Sequence, residues 1–317
     1  MKQAPISPSS PSFVHSSVFQ RSQSLAIIRA LWTLTKPRLA FFSILTTMAA
    51  YGATQTSGNI LLAFLTLLGT SLSAGGALSL NHWWEKDIDS LMSRTRDRPL
   101  PRQEISPGFA LGWSIFLSVS GLLVLLLFVN VWSATFAGAT IVLYGFVYTP
   151  LKRRTRWATE VGSISGALPP LIGAAAAGNS LSGPGVSLFL ILLFWQMPHF
   201  YAIGWMYRSD YQAAGFPLLP AVDKDGRQTA NWAIAYTVLL VLVSLLPLVL
   251  GWLGAIYGVV AVLGGLWFLW ASIQFYQAAN HPSVSTSELR LVARKLFLAS
   301  VKYLPAVLIA MVVDRIL

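Results

Sequence analysis

The feature that most constrains this chain is a series of long apolar runs separated by short polar segments. Most runs approach the ~20 residues that a helix needs to cross ~30 Å of hydrocarbon. Only 10% of the 317 residues are charged and 55% are hydrophobic, whereas soluble proteins carry about 25% charged residues. The runs lie near residues 37–54, 59–80, 108–128, 131–149, 160–178, 184–206, 229–250, 252–278 and 293–313. The sequence therefore predicts an all-α, polytopic membrane protein with about nine transmembrane helices.

The N-terminal segment differs in composition from the rest of the chain. Residues 1–24 are rich in serine and proline and contain no apolar run, which is typical of a disordered arm. We therefore divide the chain into a disordered arm over residues 1–24 and a transmembrane domain over residues 25–317. The absence of cysteine excludes a disulfide framework and a thiolate metal site.

The distribution of positive charge predicts the orientation in the membrane. Twenty of the 22 Lys and Arg residues fall in residues 1–38 and in every second connection with its borders, namely 86–102, 150–159, 206–228 and 279–295. Such segments stay on the cytoplasmic side of a membrane. The pattern predicts an N-terminus inside and a C-terminus outside, in a bacterial plasma membrane rather than a mitochondrial inner membrane because the loops are short. The net charge of +11 then reflects topology in a lipid bilayer, and no nucleic-acid partner is expected.

A charged segment follows the second apolar run. Asn81, Glu85 and Asp89 are four residues apart, so they share one face if the helix continues through them. Arg94 and Arg98 come shortly afterwards. Carboxylates suit Mg²⁺ and guanidinium groups suit phosphate, which favours a site for a metal and a phosphate-bearing substrate. A solvated, charged loop between two spans is the alternative.

A second polar segment lies between the fourth and fifth runs. Tyr148 supplies a hydroxyl group, and Lys152 and Arg153 supply positive charge, all on the side of the membrane predicted for Arg94. These groups could bind phosphate. The preference of positive charge for the cytoplasmic side explains the cluster equally well.

A third polar segment surrounds the sixth run. His199 lies inside that run, where an ionisable side chain is costly and usually functional. Asp210 and Tyr211 follow on the predicted basic side. A structural, hydrogen-bonded histidine is the alternative. Together the three segments suggest a pocket for a diphosphate and Mg²⁺, suited to ionisation of an allylic diphosphate.

Four motifs resemble those of the UbiA-type intramembrane prenyltransferases, and within that family those of its haem-modifying branch. They are Asn81-x3-Glu85-x3-Asp89 followed by Met92, Arg94, Thr95 and Arg98-Pro99-Leu100; Tyr148-Thr149 with Leu151-Lys152-Arg153; Trp195-Gln196 with Pro198-His199-Phe200; and Asp210-Tyr211 through Leu219-Pro220. The resemblance covers roughly residues 30 to 313. Glu85 replaces the commoner aspartate, which keeps the charge and adds one methylene group.

The resemblance implies a nine-helix UbiA-type bundle that transfers a farnesyl group from farnesyl diphosphate to the 2-vinyl group of haem b. Haem O and pyrophosphate would be the products, and a haem A synthase or an oxidase assembly factor a downstream partner. The resemblance also implies a set of roles. Asn81, Glu85, Asp89 and Asp210 would be the catalytic residues that hold Mg²⁺, and the diphosphate contacts would be Arg94, Arg98, Lys152 and Arg153, with Tyr148 and Tyr211 as further substrate-binding residues. His199, with His82, would face the haem as an iron ligand or a propionate partner.

Two other functions fit parts of the same pattern. A polyprenyltransferase for an aromatic acceptor, such as a quinone or chlorophyll precursor, would have a similar diphosphate site, but the segments around His199 and Asp210 favour haem. A secondary transporter would place its ionisable residues near the middle of the membrane. Here the charges gather at one membrane face, which favours an enzyme.

Overall fold

The structure, a computed structural model, describes residues 25–55 and 58–316. These residues form helices and connecting loops, with no β-strand in either range. The arm predicted over residues 1–24 lies outside the described residues. The helices are α1 (Leu25–Leu34), α2 (Pro37–Thr54), α3 (Ile60–Asp89), α4 (Pro107–Phe128), α5 (Val131–Ile141), α6 (Thr149–Leu151), α7 (Ala158–Ala167), α8 (Pro169–Ala176), α9 (Gly183–Met206), α10 (Arg208–Ala213), α11 (Leu219–Val222), α12 (Arg227–Val249), α13 (Ala255–Asn280) and α14 (Thr286–Ile316).

Seven helical segments in the described part of the chain are long and apolar enough to cross a membrane. One of them, Val131–Leu151, joins α5 and α6 through a π-helical segment, Val142–Tyr148. The two remaining predicted runs form the 18-residue α2 and the broken pair α7 and α8. The all-α, polytopic prediction is confirmed, whereas helix length and hydropathy do not establish the count of nine.

Helix α3 continues well beyond its apolar run. The Asn59 side chain caps its start by accepting a hydrogen bond from the Leu62 N–H, and the helix ends only at Asp89. The last two turns therefore carry the polar residues that follow Leu80. The expectation that Asn81, Glu85 and Asp89 share one helix is confirmed.

Small residues allow close contacts between helices. A Cβ atom built on Gly173 of α8 would overlap the Thr47 carbonyl oxygen of α2. At the same crossing the Thr47 hydroxyl donates to the carbonyl oxygen of Pro169 at 3.0 Å. Pro169 and Pro170 stand just after the break between α7 and α8, as expected where the ring removes a backbone donor. Helix α2 is thus held against the broken helix by backbone contact.

Helix α9 lies at the centre of the C-terminal half, where it packs against α2, α7, α8, α12 and α14. The interior there is filled by large side chains that are almost fully buried, namely Tyr201, Trp205, Tyr257, Phe268, Phe275 and Tyr303. The outer surface of the bundle remains apolar, with leucines such as Leu127 and Leu263 more than half exposed. An apolar exterior around a buried core suits a lipid environment, because apolar side chains that face lipid are not exposed to water and carry no hydrophobic penalty.

Candidate active site

The polar end of α3 presents three buried side chains, each in contact with a cation from elsewhere in the chain. Asn81, Glu85 and Asp89 have 1%, 5% and 0% of their surface exposed. Lys36 donates to the Asn81 Oδ1 at 2.5 Å. The Lys152 Nζ lies 2.7 Å from the Glu85 Oε1, and the Arg98 Nη1 lies 2.6 Å from the Asp89 Oδ2. We call these three side chains and their three cations the α3 ladder.

Lys36, just before α2, joins the ladder from a strained backbone conformation. Its φ of 43° is left-handed, and it precedes Pro37, which disfavours helical conformations at that position. Such outliers cost on the order of 1–3 kcal/mol and cluster at functional sites. Burial, with a further contribution from the nearby Arg98 charge, lowers the pKa of Lys36 from 10.5 to about 7. Lys36 was not among the predicted site residues, although a lysine directly before the first apolar run is a signal that could have found it.

The π-helical segment positions the second cation. The Thr149 hydroxyl donates to the Tyr144 carbonyl at 2.7 Å and accepts from the Asn81 Nδ2 at 3.1 Å. Lys152 follows directly, with its Nζ 5.3 Å from the centre of the Tyr148 ring. Burial alone would lower the pKa of Lys152, but the Glu85 carboxylate raises this pKa above its ordinary value. Lys152 is therefore a fixed positive charge at this point.

The loop after α3 folds back to supply the third cation. The Thr95 hydroxyl donates to the Asp89 carbonyl oxygen at 2.8 Å, which turns the chain so that Arg98 reaches the carboxylate. The same guanidinium lies 4.0 Å from the Glu85 Oε2. Since the Asp89 Oδ2 takes the contact with Arg98, the Oδ1 is left buried with no hydrogen-bond partner among the described residues.

Asp210 meets a different part of this loop. The Ser93 hydroxyl lies 3.2 Å from both Asp210 carboxylate oxygens. Arg94 lies over the rings of Tyr207 and Tyr211, at 5.4 and 5.9 Å, and its Nη2 is 3.4 Å from the Tyr211 hydroxyl. The loop thus links α10 to the polar end of α3, and it brings together three predicted site residues, Arg94, Asp210 and Tyr211, with Ser93 and Tyr207, which were not predicted.

Two expected members of the site stand apart from these contacts. Arg153 is exposed, next to the buried end of Lys152. His82 lies one residue after Asn81 and is 2% exposed, yet neither ring nitrogen has a hydrogen-bond partner in the described ranges. It therefore lies beside the α3 ladder without a hydrogen bond to any described residue.

His199 lies away from the ladder, between α9 and α14. Its Nδ1 is 2.7 Å from the Ser300 Oγ. The imidazole stacks on Trp195 at 4.7 Å and lies 5.1 Å from the Phe297 ring. Ser300, like Ser93 and Thr149, is a contact that sequence spacing gave no reason to expect.

The oxygen donors of the ladder fit a hard divalent cation such as Mg²⁺. Amide and carboxylate oxygens share one helix face, and the Asp89 Oδ1 is available. Within residues 25–55 and 58–316 no three His, Asp or Glu side chains are grouped closely enough to hold a metal ion. Mg²⁺ commonly binds through only one or two carboxylates and completes its coordination with substrate phosphates. The donor set therefore suits a metal that arrives with a phosphorylated substrate.

Comparison with known proteins identifies the family of this chain. A family model described as the UbiA prenyltransferase family matches residues 41–301. The chain is 43% identical over 283 residues to a protoheme IX farnesyltransferase from Opitutus terrae, with 89% of this chain and 93% of the relative covered.

Solved structures of low identity share the fold. A digeranylgeranylglyceryl phosphate synthase is 20% identical, with a TM-score of 0.76 over 91% of this chain and 98% of that one. A UbiA homologue from Archaeoglobus fulgidus bound to DMAPP and Mg²⁺ is 14% identical, with a TM-score of 0.60 over 87% and 99%. The family model and the 43% identical relative decide the assignment: this chain belongs to the UbiA prenyltransferase family.

Proposed function

We propose that this protein transfers a farnesyl group from farnesyl diphosphate to the 2-vinyl group of haem b, forming haem O and pyrophosphate. The observation that carries the proposal is the α3 ladder, in which three oxygen-bearing side chains on one helix face each contact a cation from another segment. The choice of haem rests on the name of the 43% identical relative and on the motifs around His199 and Asp210.

The diphosphate would bind to the cations of the ladder. Lys152 and Arg98 already face carboxylates, and Arg94 lies on the same loop. A diphosphate oxygen offers the same charge-assisted hydrogen bond as a carboxylate oxygen. These cations can therefore exchange a carboxylate for the substrate without moving out of a buried, polar environment, where electrostatic stabilisation is strong.

The carboxylates freed by that exchange would hold Mg²⁺. We assign Asn81, Glu85 and Asp89 to the metal, in line with the UbiA homologue of known structure that contains Mg²⁺. Asp210, whose carboxylate contacts Ser93 in the structure, would join them when the metal and the diphosphate bind. Bound Mg²⁺ would supply positive charge that stabilises the departing pyrophosphate. The protein supplies the remaining positive charge from Lys36, Lys152 and Arg98, and burial of the site keeps water from the reacting carbon.

The transfer breaks the bond between farnesyl and the diphosphate and forms one carbon–carbon and one carbon–oxygen bond. The bond between farnesyl C1 and the diphosphate oxygen breaks, and both electrons leave with pyrophosphate. The vinyl double bond then supplies two electrons for a new bond between its terminal carbon and farnesyl C1, which leaves a positive charge on the inner vinyl carbon. Water adds to that carbon and releases one proton, which gives the hydroxyl group of the product.

The haem would lie on the side of the bundle that carries His199. That residue is half-buried within α9 and surrounded by aromatic rings, an environment suited to the apolar face of a porphyrin. The product would pass to a downstream haem A synthase or an oxidase assembly factor.

The decisive experiment incubates the purified protein with haem b, farnesyl diphosphate and Mg²⁺, followed by mass analysis of the haem. We expect the haem to gain one farnesyl and one hydroxyl group, with equimolar release of pyrophosphate. In parallel reactions an aromatic acid such as 4-hydroxybenzoate replaces the haem. Prenylation of the aromatic acid with unmodified haem would assign the protein to the alternative acceptor class.

The role of the metal is tested in the same assay. Thorough chelation of divalent ions should abolish turnover, and added Mg²⁺ should restore it. Asp89→Asn should lose activity because it removes charge while keeping shape, whereas Asp87→Asn is the matched control because Asp87 has 76% of its side chain exposed on the same helix. Full turnover by the chelated protein would rule out the metal site.

A further inference from the structure

Ser300 joins α14 to α9 at the one histidine that lies within a predicted transmembrane run. Its side chain is fully buried, and its Oγ is 2.7 Å from the His199 Nδ1. Trp195 lies one helical turn before His199 on α9, and its Nε1–H donates to the Ser300 carbonyl oxygen at 2.9 Å. Both polar groups of Ser300 are thus in contact with α9.

The proton on the Ser300 hydroxyl identifies the donor in this pair. The Ser300 Oγ is 2.6 Å from the Phe297 carbonyl oxygen, which has no proton to give, so the hydroxyl donates there. A serine hydroxyl carries a single proton. The Ser300 Oγ must therefore accept its second hydrogen bond, and the His199 Nδ1–H donates it.

The state of the other ring nitrogen follows. A neutral imidazole carries one N–H, so a proton on Nδ1 leaves a free electron pair on Nε2. The ring stays neutral because its only hydrogen-bond partner in the described ranges is a hydroxyl group, and no carboxylate pairs with it there. The His199 Nε2 has no hydrogen-bond partner among the described residues.

The rings around His199 hold its orientation. Trp195 stacks on the imidazole with an angle of 23° between the planes, while Phe200 and Phe297 lie 5.5 and 5.1 Å from it. Phe200 is 39% exposed, so this cluster reaches the surface of α9. A polar nitrogen left unpaired in such an apolar environment is costly unless a ligand takes it.

An iron ligand at this position is one of the two roles that the family resemblance implies for His199, and the free Nε2 favours it. We propose that Ser300 is the positioning residue that sets the tautomer and orientation of this imidazole. The proposal rests on the function proposed above. Metal-ligating histidines usually donate the other ring N–H to an oxygen acceptor, which orients the ring and raises its basicity. Here the acceptor is a serine on a neighbouring helix, so α14 would orient the haem ligand through Ser300.

The test measures binding of ferric haem b to the purified protein by its visible absorption and its electron paramagnetic resonance spectrum. His199→Ala should lose the signature of a nitrogen ligand, and added imidazole should restore it. Ser300→Ala keeps the imidazole but removes its acceptor. It should weaken haem binding by about tenfold or more, the usual loss for such a partner, and broaden the spectrum because the proton is no longer held on Nδ1.

Two further variants separate positioning from packing. Ser300→Thr retains the hydroxyl and should keep the spectrum of the unmodified protein. Ser272→Ala removes another fully buried helix serine that contacts Thr237 and no imidazole, so haem binding should not change. Farnesyl diphosphate affinity should be the same in all four variants, because His199 and Ser300 lie outside the α3 ladder.

The outcomes distinguish this inference from the proposed function. If the unmodified protein farnesylates haem but His199→Ala binds it with an unchanged spectrum, the iron ligand is not His199 and the inference is wrong while the function stands. An unchanged spectrum and affinity in Ser300→Ala alone would overturn the role of Ser300. An unmodified protein that neither binds nor farnesylates haem would overturn the proposed function itself.

Discussion

Each oxygen-bearing residue of the α3 ladder contacts one cationic side chain, and the cationic groups differ in shape. Lys36 and Lys152 present an ammonium group that makes a point contact. Arg98 presents a planar guanidinium whose Nη1 lies 2.6 Å from Asp89 and 4.0 Å from Glu85. Only Arg98 can therefore engage two oxygens of a diphosphate in a fixed geometry.

Replacing that guanidinium tests its role. Arg98→Lys should weaken binding of radiolabelled farnesyl diphosphate by about tenfold, because the loss of one charge-assisted hydrogen bond costs about 1.5–3 kcal/mol and 1.4 kcal/mol is tenfold. Arg102→Lys, in the same loop, is the matched control. The Arg102 side chain is 57% exposed and pairs with Asp97 at the surface. The affinity of the Arg102→Lys variant for farnesyl diphosphate should therefore not change. Equal affinities in the two variants would contradict the assignment.

At the scale of the helices, the site depends on contacts that let backbones approach closely. The π-helical segment places Thr149 against Asn81, and α2 carries Lys36 at its start. Helix α2 is held by the crossing of Thr47 and Gly173 with α8. The position of Lys36 in the ladder thus depends on a glycine that lies on another helix.

The crossing can be tested with a single methyl group. Gly173→Ala should lower stability by about 1–3 kcal/mol, because its Cβ would overlap the Thr47 carbonyl oxygen and backbone atoms cannot rotate away. Gly112→Ala in α4 is the control, since a Cβ there meets nothing within 4 Å. Thermal unfolding in detergent compares the two. Equal melting temperatures would mean that α2 and α8 separate freely.

At the scale of the whole molecule, the chain is an integral, multi-pass membrane protein of the UbiA prenyltransferase family. The cations of the ladder come from segments that the charge distribution assigns to one side. We therefore propose that the site opens on the cytoplasmic side, with the N-terminus inside, the C-terminus outside and the bacterial plasma membrane as the location.

Reporter fusions test this orientation. A reporter active only outside the cytoplasm should be active when fused after Leu317, because twenty of the 22 basic residues lie in segments predicted to stay inside. The same reporter fused after Ser283, in the loop before α14, should be inactive and serves as the control. The opposite pair of results would invert the topology and place the site on the other side.

Much of this protein follows from its sequence by itself. The apolar runs determined that it is a helical membrane protein, because hydrophobicity over ~20 residues is a property of each segment alone. The break between α7 and α8, which Pro169 and Pro170 follow, has an equally local cause, because a proline ring removes a backbone donor wherever it stands. The four-residue spacing of Asn81, Glu85 and Asp89 determined that they share a face, since the helical repeat depends only on the local backbone.

The pairings of these residues were decided only by the tertiary structure. Lys36 meets Asn81 across 45 residues, Lys152 meets Glu85 across 67, and Ser300 meets His199 across 101. A contact between distant segments depends on how the helices pack, and the small residues that allow the packing say nothing about which side chains it brings together. The π-helical segment was not predicted either, because the apolar run that contains it predicts one unbroken helix. The sequence predicted the candidate residues of the site, and helix packing determined which side chain each of them contacts.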